Sequence, residues 1–106
     1  MTPPNLYKLI RRRLSRGPYS NFDFTPYLPK KGRPGMWLPK RHYIRTCHSG
    51  WHYCVGKQEI KNYAKNIHHL RLDEMDLYII EIRGDSLRGY GKSCAQEMRL
   101  LKKVRL

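Results

Sequence analysis

The sequence predicts a small α+β domain: one stretch has the apolar spacing of a helix, two runs have strand character, and a long Pro/Gly/aromatic loop is too restricted for either. The helix signal is Ile60, Tyr63, Ala64 and Ile67, at i, i+3, i+4 and i+7 beyond Gly56, outlining an amphipathic helix to about His68. The clearest strand is Leu77-Tyr78-Ile79-Ile80-Glu81-Ile82, whose nearly unbroken apolar run suits a central position covered on both faces. In the second, Cys94, Met98, Leu100, Val104 and Leu106 alternate with Glu97, Arg99, Lys103 and Arg105, giving a half-buried strand with a basic outer face. Ala95, Met98, Leu101 and Lys102 also fit a helical period, so a helix over 94–104 competes with it. The expected architecture is a small mixed or antiparallel sheet of about three to five strands carrying one principal helix.

The remaining elements follow from local chemistry. Residues 6–12 alternate, with Leu6, Lys8 and Ile10 on one side and Tyr7, Leu9 and Arg11 on the other, and read as a short strand. Residues 17–40 hold Pro18, Pro26, Pro29, Pro34 and Pro39, which exclude a regular helix or central strand. That long loop also carries Tyr19, Phe22, Phe24, Tyr27 and Trp37, with Leu28, Met36 and Leu38, an aromatic and apolar content that disordered linkers lack, so it is expected to wrap the domain and feed its core. Residues 42–45 and 51–55 are β-prone runs around Ser49-Gly50, which suggests a hairpin. Gly84-Asp85 and Gly89-Tyr90-Gly91 read as turns.

With 106 residues, the chain 1–106 makes a single compact domain. Its 22 Lys and Arg against 8 Asp and Glu give a net charge of +14, despite which 40% hydrophobic content marks a folding composition. Such a surface attracts polyanions, and counterion release from phosphates makes nucleic acid the first expectation, ahead of an acidic protein or an anionic membrane face. No run approaches membrane-spanning length and no apolar leader follows the first residues, which together suggest a cytoplasmic protein without a membrane partner. Three cysteines, an odd number, then favour reduced thiols over a disulfide framework.

The candidate phosphate-binding cations fall in three groups. Arg11, Arg12, Arg13 and Arg16 form the densest positive run; Lys30, Lys31 and Arg33 interleave with the loop aromatics, as in sites that stack unpaired bases. Lys57, Lys61 and Lys65 recur every four residues along one edge of the helix, a repulsive ridge in isolation that suits an anionic partner.

Cys47-His48-Ser49-Gly50-Trp51-His52-Tyr53-Cys54 concentrates the remaining chemistry. Cys47, His52 and Cys54 are candidate zinc ligands, since His52 and Cys54 at i, i+2 point to one face of a strand, with His42, His48, His68, His69 or Cys94 as a fourth. The spacing is not that of a zinc finger. Alternatively Cys54 is a nucleophile with a His partner, or the group is structural, with cysteines as small apolar side chains and His52 hydrogen-bonded in a packed sheet. Glu81 interrupts an apolar strand and needs either a cationic partner or a purpose.

Several of these features occur together in a known set. Leu6-Tyr7-Lys8, Leu28-Pro29, Pro34-Gly35-Met36-Trp37-Leu38-Pro39, Cys47-x-x-Gly50-x-His52-x-Cys54 and the closing Arg99-Leu100-Leu101 resemble a family of small uncharacterised bacteriophage and prophage proteins. The resemblance implies a compact phage-type accessory protein acting in a bacterial host, with host takeover or anti-defence as its setting. A looser likeness, in the order of strand, helix and Glu81-bearing strand, is to small ADP-ribosyltransferase-like enzymes, which would give His52, Glu81 and Cys54 catalytic roles. A third possibility is a protein-only inhibitor that covers a nucleic-acid contact on a host complex.

Overall fold

A computed structural model describes residues 4–12, 15–17, 21–45, 49–65, 71–89 and 91–105. Among them are the strands β1 (Leu6–Arg11), β2 (Trp51–Val55), β3 (Met75–Arg88) and β4 (Ser93–Val104), with one helix, α1 (Gly56–Lys65), between β2 and β3. Short 3₁₀ turns occupy Thr25–Tyr27 and Leu72–Glu74. Every strand pairing is antiparallel, and the order β1-β2-β4-β3 closes into a barrel because β3 returns to β1. The α+β class is therefore as the sequence predicts, with the sheet wholly antiparallel.

Strand periodicity decides which residues meet. On β1, Leu6 and Ile10 face a large cluster containing Trp51, Tyr53, Tyr78, Ile80, Met98 and Leu100, whereas Tyr7 and Leu9 face a smaller one with Cys54, Met75 and Leu77. All four strands contribute to the large cluster, so it fills the barrel. The smaller cluster lies under α1, which inserts Ile60 at 1% exposure and rests Tyr63 and Ala64 on its margin. Burial of one such isoleucine contributes about 2 kcal/mol. Glu59 fixes the start of the helix by accepting the Val55 N–H at 2.9 Å, a relative of the capping box. The run 66–70, through which the spacing extends the helix, lies outside the described residues.

The Pro-rich segment is structural, as its composition implies. Phe24 and Leu38 are buried in the barrel, and Phe22, Tyr27 and Leu28 pack against them. Gly35, Leu38 and Arg41 each donate a backbone N–H at 2.8 Å to the carbonyls of Leu100, Met98 and Gln96. The segment thus lies along the edge of β4 where β2 does not reach, and β2 takes over at Ala95. Pro34 precedes the first of these donors and Pro39 falls between the last two, positions where no N–H is required. Gly35 is confined by contact: a Cβ there would sit 2.0 Å from the Tyr27 carbonyl oxygen. Gly35→Ala is accordingly expected to destabilise by about 2 kcal/mol through backbone displacement, read as a lowered urea midpoint with unchanged slope.

Two local expectations are corrected. Residues 42–45 do not pair with β2; only an isolated Arg45–Ser49 bridge forms, while β2 is taken up by β1 and β4. Gly84-Asp85 is a bulge rather than a turn, because the β3–β4 register shifts between Arg83↔Glu97 and Ser86↔Ala95. Gly84 has φ +79°, and the Gln96 side-chain oxygen accepts the freed Asp85 N–H at 2.9 Å. The strand therefore continues to Arg88, and reversal falls at 89–92. The helical alternative for 94–104 is likewise excluded by β4.

Candidate nucleic-acid interface

The charge excess is distributed by a simple rule. Six of the eight carboxylates pair with arginines: Asp76 with Arg12, Asp23 with Arg16, Asp73 with Arg71, Glu97 with Arg83, Glu59 with Arg88 and Glu81 with Arg99. A planar guanidinium suits a fixed carboxylate, whereas the lysine ammonium is compact and strongly hydrated. No lysine makes an ion pair among the described residues. The ion pairs of the described residues thus join acids to arginines, and most lysines are left exposed.

Lys57, Lys61 and Lys65 are exposed along one edge of α1. Beyond the helix, the layer of the smaller cluster opens into a groove of about 670 Å³. Arg12, Lys103 and Arg105 stand on its margin. Arg12 is held there by Asp76 at 2.9 Å, and Lys103 and Arg105 are exposed. The groove cations missed as site residues were legible only as part of the basic outer face of β4. Their convergence with Arg12 depends on the pairing of β3 with both β1 and β4.

The other predicted cations lie elsewhere. Arg11 closes β1, Arg16 is tied to Asp23 at 3.2 Å, and Arg13 lies outside the described residues. Lys30 and Arg33 exchange backbone hydrogen bonds across a two-residue turn in which Lys31 and Gly32 both have positive φ, the geometry of a tight hairpin turn. All three cations of that turn are exposed. It belongs to the segment covering the barrel interior, so this turn and the α1 lysines lie in different layers.

The nearby rings serve the protein itself. Arg83 and Arg99 lie over Trp37 at 3.9 and 5.1 Å, above two cross-strand ion pairs that Glu81 and Glu97 complete. Arg41 covers Trp51 at 4.3 Å, and Phe22 and Phe24 are edge-on to the same indole. These faces are therefore engaged rather than open to bases, whereas Tyr43 is 66% exposed.

The Cys/His stretch is a packed strand. His52 and Cys54 share a face, as their spacing predicts, and line a cavity of about 30 Å³ with Tyr7, Tyr63 and Lys92. Cys54 donates its thiol to the Gly91 carbonyl, and burial pushes its pKa up to about 12, the reverse of an activated nucleophile. Cys54 and Cys94 are free thiols, and Cys94 sits opposite His52 in the register. Cys47, His48, His68 and His69 lie outside the described residues. Among the described residues no three His, Cys, Asp or Glu side chains gather as a metal site. His52 and Glu81 are not brought together: their partners on β4, Cys94 and Arg99, are separated by about 16 Å of strand. Glu81 instead has the cationic partner that its position in an apolar strand demands.

Lys8 is a basic side chain drawn inside. It lies between Leu6 and Ile10 on the inward side of β1, donates to the His52 carbonyl at 2.7 Å and sits 5.4 Å over the Phe24 ring. Burial lowers its pKa to about 8.

No protein-family model, no curated protein and no solved structure matches the chain. Among the described residues, no helix is long and apolar enough to cross a membrane.

Proposed function

We propose that this chain is a small, non-enzymatic nucleic-acid-binding protein whose contact surface is the α1 layer. The observation that carries the reading is the ridge of Lys57, Lys61 and Lys65, exposed and without carboxylate partners among the described residues, on a helix that packs on the same cluster as the groove bearing Arg12, Lys103 and Arg105. Cations held on a helix at 1.5 Å rise per residue recur about every 6 Å, close to the spacing of successive phosphates along a strand. The sequence resemblance adds a setting, that of a phage-type accessory protein in the cytoplasm of a bacterial host, acting on nucleic acid or a host nucleoprotein complex.

The triple variant K57Q/K61Q/K65Q tests the surface, because glutamine keeps helix propensity and length while removing charge. At about 0.1 M salt it is expected to bind a labelled DNA duplex at least tenfold more weakly, with a salt dependence shallower by about 2 to 3 in log–log slope. Unchanged affinity in the folded variant would remove the ridge from the site.

A further inference from the structure

We infer that the groove beside α1 holds an unpaired nucleotide, so that the protein prefers single-stranded nucleic acid to duplex. This rests on the nucleic-acid reading above and deepens it. The groove differs chemically from the lysine ridge: its floor is aliphatic, formed by Leu9, Leu77 and Val104, and its margin carries Arg12, Lys103 and Arg105. Phosphates alone need no apolar floor, since duplex DNA presents a charged exterior to a binding face. An unpaired base has an apolar face to bury and a phosphate on each side of it, and this groove offers both kinds of contact together. Its volume, about 670 Å³, lies within the range of small-ligand sites.

Charge complementarity selects an anionic occupant. The single acid lining the groove, Asp76, is engaged by Arg12 at 2.9 Å, so Lys103 and Arg105 line it, exposed, without a carboxylate partner among the described residues. Lys103 and Arg105 both line the groove together with Val104.

The test compares a labelled thymidine or uridine homopolymer of about 12 nucleotides with a duplex of equal length by fluorescence anisotropy over a salt series. The expected result is tighter binding of the single strand and about a tenfold preference that survives extrapolation to 1 M salt, because contacts to bases release no counterions. K103A/R105A should make the single-strand slope shallower by about 1.4, with the α1 lysines still holding the duplex. A higher affinity for uridine than thymidine strands would identify RNA as the source of the unpaired nucleotide; the reverse would identify DNA. Equal affinities for strand and duplex at 1 M salt would overturn the inference while leaving the function intact. So would displacement of no bound strand by K103A/R105A in a folded protein, or capture of an acidic, leucine-containing peptide in the groove in place of the strand. Failure of both probes to bind at about 0.05 M salt would overturn the underlying function as well.

Discussion

Trp51→Ala should remove about 4 kcal/mol of stability, a large share of the 5 to 15 kcal/mol typical of a small domain. The indole is 3% exposed, packs edge-on against Phe22 and Phe24, and donates Nε1–H to the Pro39 carbonyl at 2.8 Å. It therefore joins β2, the barrel interior and the Pro-rich segment at one point. Loss of the ring leaves a cavity and a carbonyl without its donor, and it frees the segment that hydrogen-bonds along β4. Limited proteolysis should accordingly cut first between residues 21 and 45 in the variant. Trp51→Phe separates the terms: it retains most of the volume but loses the hydrogen bond, and should cost about half as much. Equal urea midpoints for wild type and Trp51→Ala would contradict this account of the core.

Lys8→Met should act in the opposite direction and stabilise the protein by about 2 kcal/mol at pH 7. A lysine whose pKa falls from 10.5 to about 8 on folding carries roughly 3 kcal/mol of penalty while protonated, offset in part by its bond to the His52 carbonyl. Methionine fills similar space without charge. The sign of the pH dependence follows from proton counts. Below pH 8 both folded and unfolded chains hold the proton, and the penalty is complete. Between about 8 and 10.5 the unfolded chain keeps a proton that the folded one releases, so wild-type stability gains from this residue as pH rises. Cys54 works against it above pH 9, since its raised pKa makes the folded state retain a proton there. The difference between wild type and Lys8→Met reports Lys8 alone at pH values where the Cys54 thiol stays protonated in both states. It should be largest at pH 7 and shrink through pH 8 to 10.5; a constant difference would show that Lys8 does not titrate as a buried amine.

Much of this fold was legible because each main element has its own periodicity. The alternation of β1 and β4 and the i, i+3, i+4 spacing of α1 each specify a buried face without reference to the rest of the chain. Aromatics among prolines pointed to a packed segment, and Phe24 and Leu38 bear that out. Closure of the barrel was not legible, because Leu6 pairs with Ile80 across most of the chain and periodicity names a face, not a partner. The same limit explains the hairpin expected around Ser49-Gly50: both flanks are β-prone, but the edge of β2 is occupied by β1 and β4. For the site, the lysine ridge followed from helical spacing alone. The groove did not, since Arg12, Val104 and Arg105 meet only through the β1–β3–β4 pairing.

The most direct test of the nucleic-acid reading is the affinity of the wild-type protein for labelled duplex and single-stranded DNA and RNA between about 0.05 and 0.3 M salt. The ridge and groove together predict measurable binding at low salt, with a log–log slope of about −4 or steeper for at least one probe. Absence of binding at about 0.05 M, or an affinity indifferent to salt, would contradict it and assign the +14 surface to an acidic protein partner.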